Sequence, residues 1–274
     1  MEHRPIRLVL SDVDGTLLTS DKQLTGASVA AVQRLHEAGI RFTITSSRPP
    51  QGLASLVNRL AVDAPIGAFN GGAFVDAAMT VLERHALDTD VVEALIVALD
   101  AAGVDVWGYT ATHWFVRDPD AWHVAHEARV VEFAPSVAAD LAAAMADHGG
   151  AVKVLGVSQD HERIAATQKA VDAAYGARVS ATCSQAYYLD ITHPAANKGT
   201  VVEYLAATVG VPTTAIATIG DGENDTLMFA RSGMSFAMGN ATDVVKARAG
   251  RTTATNDEDG FARAIDEVVV AQGA

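Results

Sequence analysis

Between Ile6 and Thr45 the chain passes from an apolar strand to an amphipathic helix and on to a second apolar strand, and this alternation restricts the fold more than any other feature. Residues 6–10, IRLVL, read as a buried strand. Thr25 is placed to cap a helix that ends just before Gly39, and IRFTIT follows with Ile40, Phe42 and Ile44 at period two. Pro49 fits the first turn of a second helix, and Pro65 leads into a short strand, IGAF, that stops at Asn70-Gly71-Gly72. After His193-Pro194 the pattern resumes: a helix from about Asn197 to Val209, the strand TAIATI, a helix after Glu223, a strand over Met234–Met238 and two further helices. Strands separated by helices pair in parallel, with helices on both faces, so an α/β class with a Rossmann-like parallel sheet is predicted.

The middle of the chain departs from this pattern. From about Glu83 to Ala186 it reads as a helix at Val91–Ala102, strands VDVWGYT and HWFVRD, a helix near Ser136–His148, strand AVKVLGV, a helix after Asp160 and strand ARVSAT. Paired strands and grouped helices predict an α+β unit inserted into the α/β one. The expected division is residues 1–82 for the first part of the core, 83–186 for the insert and 187–274 for the rest of the core. A length of 274 residues allows two such cores. The single cysteine, Cys183, permits no internal disulfide and no cysteine metal site, and is expected to be a small buried residue. Apolar runs are broken by charge within about ten residues, where a membrane span needs about 20, and the first fifteen residues lack the layout of a signal peptide. A cytoplasmic protein with no membrane partner is expected. A net charge of −13 argues against nucleic acid as a partner, and it requires that any anionic substrate meet local positive charge.

Four polar clusters fall where this reading ends a strand or opens a helix: Asp12–Thr16, Thr45–Arg48, Asn197–Gly199 and Gly220–Asp225. The carboxyl ends of the strands of an open parallel sheet meet at one crevice, so clusters more than 200 residues apart converge there. Taken alone, Asp12 and Asp14 would pass for turn and cap residues. Two other readings fail on spacing. A calcium loop counted from Asp12 finds Leu17 and Gln23 where it needs glycine and an acid, and counted from Asp221 it finds Thr226 and Ser232. GDGEND carries Asp225 where a dinucleotide fingerprint has its third glycine, which would set a carboxylate against a pyrophosphate.

Gathered in one cleft, Asp12, Asp14, Asp221 and Asp225 repel by about 4 kcal/mol for each pair a few Å apart at an effective dielectric near 20. A cation among them is therefore expected. Oxygen ligands with no His or Cys beside them suit a hard ion, and few carboxylates together with a phosphate point to Mg²⁺. The ion and Lys198, with Arg48 as a further candidate, would make the cleft locally attractive to phosphate. Asp12 is then the nucleophile, attacking phosphorus in line to form an aspartyl-phosphate. Asp14 is placed to protonate the leaving oxygen and later to deprotonate water. Ser46 and the amides after it would bond phosphoryl oxygens, Lys198 would offset charge in the transition state, and Asp221 would hold the metal. Asn224 would reach metal or phosphate, with Asp225 orienting the others.

DVDGTLL, TSSRP, ANKGT and GDGENDTLMF, in this order and spacing, resemble the four motifs of the haloacid dehalogenase (HAD) superfamily of phosphatases, specifically its Cof-type hydrolases. FNGGAF and FAMGNATDVVKARA…TNDEDG resemble the usual sequence of that group at the same places. The likeness covers residues 6–82 and 187–270, and the middle carries no such motif. It implies a Rossmann-like core with an inserted cap, Mg²⁺ dependence and phosphomonoester hydrolysis. By position Asp12 matches the nucleophile, and Asp14 the acid/base residue and, through its carbonyl, a metal ligand. Ser46 with Ser47 matches the phosphate-binding second motif, Lys198 the third, and Asp221 the metal ligand of the fourth, with Asn224 and Asp225 as its partners. Relatives often have Thr-Gly-Arg where this chain has Ser46-Ser47-Arg48, which adds a side chain beside the phosphate.

Within the insert, Trp107, Tyr109, His113, Trp114 and Arg117 are candidates to line the leaving group, although aromatic residues on strands are more often core. Lys153, between Val152 and Val154, faces either cleft or solvent. His123 and His126 have a spacing that can bind metal but read first as surface histidines. The sequence thus describes a Mg²⁺-dependent phosphatase of small phosphorylated metabolites, sugar phosphates foremost and pyridoxal phosphate or FMN as substitutes, acting as a monomer or weak homodimer. A phosphomutase or phosphotransferase on the same scaffold, or a phosphometabolite-binding sensor, are the competing readings.

Overall fold

The computed structural model describes residues 5–272, which fall into two compact units. The first comprises the described residues through Ser47, then Ala54–Thr80 and those from Asn197 on; the second comprises Arg48–Leu53 and Val81–Ala196. Along the chain the first unit begins with β1 (Leu8–Asp12), α1 (Gly26–Glu37), β2 (Arg41–Thr45), α2 (Ala54–Leu60), β3 (Ile66–Ala68) and β4 (Ala73–Val75). The second unit contributes β5 (Val81–Arg84), α3 (Thr89–Ala101), β6 (Asp105–Tyr109), β7 (Trp114–Val116), α4 (Val124–Val130), β8 (Ser136–Val137), α5 (Leu141–Asp147), β9 (Lys153–Val157), α6 (His161–Tyr175), β10 (Ser180–Gln185) and β11 (Tyr188–Thr192). The first unit then resumes with α7 (Lys198–Val209), β12 (Ile216–Gly220), α8 (Thr226–Phe229), β13 (Met234–Ala237), α9 (Asp243–Lys246), β14 (Arg251–Thr252) and α10 (Gly260–Val270).

The first unit is built on a sheet ordered β14-β13-β12-β1-β2-β3-β4, parallel except for the antiparallel β3–β4 pair. Every residue of β1 is buried, as its unbroken apolar run requires of a central parallel strand. Leu8, Leu10, Val201, Leu205, Ile216 and Met228 share one apolar cluster. Phe42 meets Phe261 of α10 edge-on, with ring centroids 5.9 Å apart. Thr25 caps α1 by accepting the Ser28 N–H at 3.0 Å. Register places the chemistry: Asp12 lies opposite Thr45 on β2, and Ser11 opposite Ile219 on β12, so the carboxyl ends of the three strands are level.

The second unit has a six-stranded sheet ordered β10-β11-β9-β6-β7-β8, antiparallel but for the parallel β7–β8 pair. Leu95 and Leu99 of α3, Met145 of α5 and Ile164 of α6 pack with Val106, Phe115, Val154 and Leu189 of the sheet. Several features differ from expectation, the strand β11 among them. Ser136–Val137 forms a strand beside β7, and the helix starts only at Leu141, because the Asp140 carboxylate caps it through the Ala143 N–H at 3.0 Å. The expected boundary after residue 186 cuts a hairpin, since β11 pairs with both β9 and β10. Cys183 is exposed, not buried: it lies on β10, the outermost strand of this sheet. No helix among the described residues is long and apolar enough to cross a membrane.

Lys153 faces neither solvent nor an apolar layer alone. Its ammonium donates to Asp190 Oδ1 at 3.0 Å and lies 4.8 Å from the centroid of the Tyr109 ring, while the Ser184 hydroxyl donates to the other Asp190 oxygen. Both charged residues are buried, so removing one strands the other in a low dielectric. Asp190→Ala is expected to destabilise the protein by about 3–5 kcal/mol, read as a drop in urea midpoint, whereas a change below about 1 kcal/mol would mean that the pair behaves as a solvated surface bridge.

Candidate active site

The end of β1 delivers Asp12, buried at 7% exposure, to the centre of a charged cluster. Lys198, the first residue of α7, is 1% exposed and donates to Asp12 Oδ1 and to Asp225 Oδ1, each at 2.6 Å. Asn197 starts that helix by accepting the Thr200 N–H at 3.0 Å, which fixes where the lysine emerges. Asp225 is fully buried, and its second oxygen accepts the main-chain N–H groups of Asp221 and Gly222, both at 2.8 Å. This carboxylate therefore ties the lysine to the turn that carries Asp221. Asp221 in turn accepts the Thr16 hydroxyl on Oδ1 at 2.7 Å. Ligand oxygens of Asp12, Asp221 and Asp225 lie within 4.8 Å of one another.

The loop after β1 is shaped around that carboxylate. Gly15 has a left-handed backbone, at φ +82°, and a Cβ there would stand 2.3 Å from Asp221 Oδ2. Asn240 closes the same edge, donating to the Gly15 carbonyl at 2.9 Å while its own carbonyl accepts the Asn256 N–H at 3.0 Å. Burial, assisted by the Asp225 and Asp221 carboxylates and opposed by Lys198, holds the Asp12 carboxyl well above its ordinary range. Burial, with Asp225, also raises Asp221, against the pull of the Thr16 hydroxyl. Burial would depress Lys198, but Asp12 and Asp225 reverse this and hold it above the usual ammonium value. One buried cation does not balance three carboxylates, and a largely buried set of oxygen donors with no His or Cys fits a hard divalent ion.

The other predicted residues surround this cluster unevenly. Asp14 stands apart from the acidic triad, and its carboxylate lies 3.0 Å from the Lys22 ammonium. Ser46 follows β2 directly and is buried at 1%, whereas Ser47 is exposed. Asn224 is exposed and donates to Asn70 Oδ1 at 3.3 Å. Arg48 groups with the second unit, where it reaches the Gly52 carbonyl at 3.5 Å. Trp107, Tyr109 and Trp114 are buried at 0–1%, with Tyr109 and Trp114 stacked at 5.6 Å. Arg117 is engaged by Asp100 through two bonds of 2.7 and 2.9 Å. His113 stacks on Phe115, and the His123 and His126 rings lie 4.4 Å apart but belong to no three-residue metal group among the described residues.

Thr16, Asn70 and Asn240 carry site contacts that the sequence reading did not assign. Thr16 lies inside DVDGTLL and its hydroxyl was the available signal; Asn70 and Asn240 lie inside FNGGAF and FAMGNATDVVKARA, where the resemblance assigned them no role.

This chain belongs to the haloacid dehalogenase-like hydrolases, whose family model matches residues 9–265. Its relatives place it among the phosphatases of that superfamily. It is 28% identical to a 5-amino-6-(5-phospho-D-ribitylamino)uracil phosphatase of Bacillus subtilis, over 97% of this chain and 98% of that protein. It is 27% identical to the pyridoxal phosphate phosphatase of Escherichia coli, over 94% and 97% of the two chains. Among solved structures, a haloacid dehalogenase-like hydrolase from Bacteroides thetaiotaomicron superposes with a TM-score of 0.86 at 26% identity, covering 96% of this chain and 99% of that one.

The site geometry yields two expectations. Raised carboxyl values mean that Asp12 and Asp221 keep protons to higher pH folded than unfolded, so their like-charge cost is absent in acid and grows as pH rises past the ordinary carboxylate range. A divalent ion removes that cost: Mg²⁺ at about 100 times its Kd is expected to raise Tm by roughly 5 °C near neutral pH and by progressively less toward pH 5, and a pH-independent rise in differential scanning fluorimetry would contradict it. Gly15→Ala should push Asp221 aside and weaken Mg²⁺ binding by about 10–100-fold in titration calorimetry; an unchanged affinity would remove this close approach from the account.

Proposed function

We propose that this protein is a Mg²⁺-dependent cytoplasmic phosphatase that hydrolyses monoesters of small phosphorylated metabolites through an aspartyl-phosphate on Asp12. The observation that carries the reading is the position of Asp12: a buried carboxylate at the end of the central strand, one oxygen tied to Lys198, beside the Asp221 and Asp225 carboxylates. Asp12, Asp221 and the Asp14 main-chain carbonyl would hold the ion, with Asp225 completing the acidic triad. When bound, the ion supplies positive charge against the phosphoryl oxygens and so lowers the repulsion met by an anionic nucleophile.

In the first step an oxygen of Asp12 forms a bond to phosphorus as the ester P–O bond breaks, and Asp14 gives its proton to the departing alkoxide. In the second, Asp14 takes a proton from water as the water oxygen attacks phosphorus, the bond to Asp12 breaks, and inorganic phosphate leaves. Lys198 holds Asp12 in line and balances its charge throughout, while Ser46, Ser47 and Asn224 supply donors to the phosphoryl oxygens. The second unit acts as the cap that selects the leaving group. Sugar phosphates, pyridoxal phosphate and FMN are the substrate classes to test first, the second because the E. coli relative carries that activity in its name.

Hydrolysis in ¹⁸O-labelled water is expected to place label in the released phosphate, and Asp12→Asn to lower kcat by at least about 10³-fold with the fold retained by circular dichroism. Product formed by transfer to a second hydroxyl, with no free phosphate, would make the enzyme a phosphotransferase. Activity retained in Asp12→Asn would assign the attack to another group.

A further inference from the structure

The phosphate end of β2 is held by a turn that ordinary side chains avoid. Phe69 and Asn70 both have left-handed backbone, at φ 50° and 56°, which is uncommon for any residue but glycine and most costly for a bulky one. Phe69 is 2% exposed, so its ring is committed to the core. Consecutive residues of this kind persist only where surrounding bonds over-determine them. Here those bonds lead to the site. Ser46 donates its N–H to the Gly67 carbonyl at 3.0 Å and accepts the Asn70 N–H on its own carbonyl at 2.7 Å. In a trans peptide the N–H points opposite to the C=O, so fixing the Ser46 carbonyl turns the Ser47 N–H away from this turn. The Asn70 side-chain carbonyl accepts Asn224 Nδ2 at 3.3 Å. Gly71, at φ +95°, lies so close to α7 that a Cβ would meet Val201 Cγ2 at 2.9 Å and the Asn197 carbonyl at 3.1 Å. One strained turn therefore joins the end of β2, the turn after β12 and the start of the helix that carries Lys198.

We propose that Asn70 is a positioning residue for the substrate phosphate. Its main-chain N–H sets the Ser46–Ser47 peptide and its side chain sets Asn224, so that phosphoryl oxygens meet donors already aimed. The inference rests on the phosphatase reading above and deepens it by separating a residue of phosphate binding from those of metal binding. The left-handed pair is kept because a relaxed turn would release both donors together.

Asn70→Gly keeps the left-handed backbone without strain and deletes only the side chain, whereas Asn70→Ala deletes it and keeps the strain. With Mg²⁺ saturating, KM and kcat for p-nitrophenyl phosphate, Ki for inorganic phosphate, the Mg²⁺ half-saturation point and Tm are measured for both and for the wild type. In Asn70→Gly, KM and Ki are expected to rise together about tenfold, because Asn224, no longer held, gives up its hydrogen bond to the charged phosphate. The same variant should lose less than about threefold in kcat and keep its Mg²⁺ half-saturation and Tm; Asn70→Ala should show the same Ki at a lower Tm, and Asn70→Gly decides the matter if Asn70→Ala does not fold. A Ki within about twofold of wild type, or a fall in kcat at unchanged KM as a merely structural residue would give, overturns the proposal. A wild-type protein that turns over no phosphate ester would instead overturn the phosphatase reading; calorimetric titration of inorganic phosphate into wild type and Asn70→Gly then still tests the positioning role.

Discussion

A single ammonium, that of Lys198, stands 2.6 Å from Asp12 and 2.6 Å from Asp225 in a region from which water is excluded, and the first unit is organised around that contact. The arrangement is electrostatically demanding on both sides. Lys198 sits at the first position of α7, where the helix dipole disfavours a cation, and the carboxylates sit where burial disfavours anions. Each is tolerable only in the presence of the other. Asp225 is satisfied by Lys198 and two main-chain amides, so it fixes the cluster, while Asp12 accepts from the same lysine at the end of the central strand.

Parallel topology makes this possible with short local instructions. Level registers between β1, β2 and β12 bring Asp12, Ser46 and Asp221 to one edge although their sequence neighbours are ordinary apolar strand residues. Helix α7 adds the cation from outside the sheet, positioned by a one-residue cap, Asn197. Small side chains matter as much as charged ones: a methyl group at Gly15 would occupy the space of an Asp221 oxygen.

Much of this was legible in sequence because the relevant signals are local. Apolar runs ending in Asp12, Thr45 and Gly220 mark strand ends, Thr25 and Asn197 mark helix starts, and the carboxylates announce a cation by mutual repulsion. What escaped depends on partners distant along the chain. Nothing adjacent to Asn70 or Asn240 shows that their amides reach Asn224 and the Gly15 carbonyl. The short β8 escaped because two exposed residues carry no pattern of their own, and β11, YLDIT, because the buried Asp190 interrupts its apolar run. Cys183 was misplaced because, although its strand reads as β structure, only the sheet order shows that the strand is outermost. In the second unit, hydrophobic pattern identified Trp107, Tyr109 and Trp114 without distinguishing packing from recognition; their burial at 0–1% assigns them to packing.

The account stands or falls on Asp12 carrying the phosphoryl group between the two half-reactions. Mixing the Mg²⁺-loaded enzyme with excess substrate, quenching in acid within milliseconds and mapping the digested protein by mass spectrometry measures this directly. The account predicts one phosphoryl adduct, on the peptide spanning Asp12 and localised to that residue. An adduct on any other side chain, or rapid turnover with no phosphorylated protein at any quench time, would contradict it.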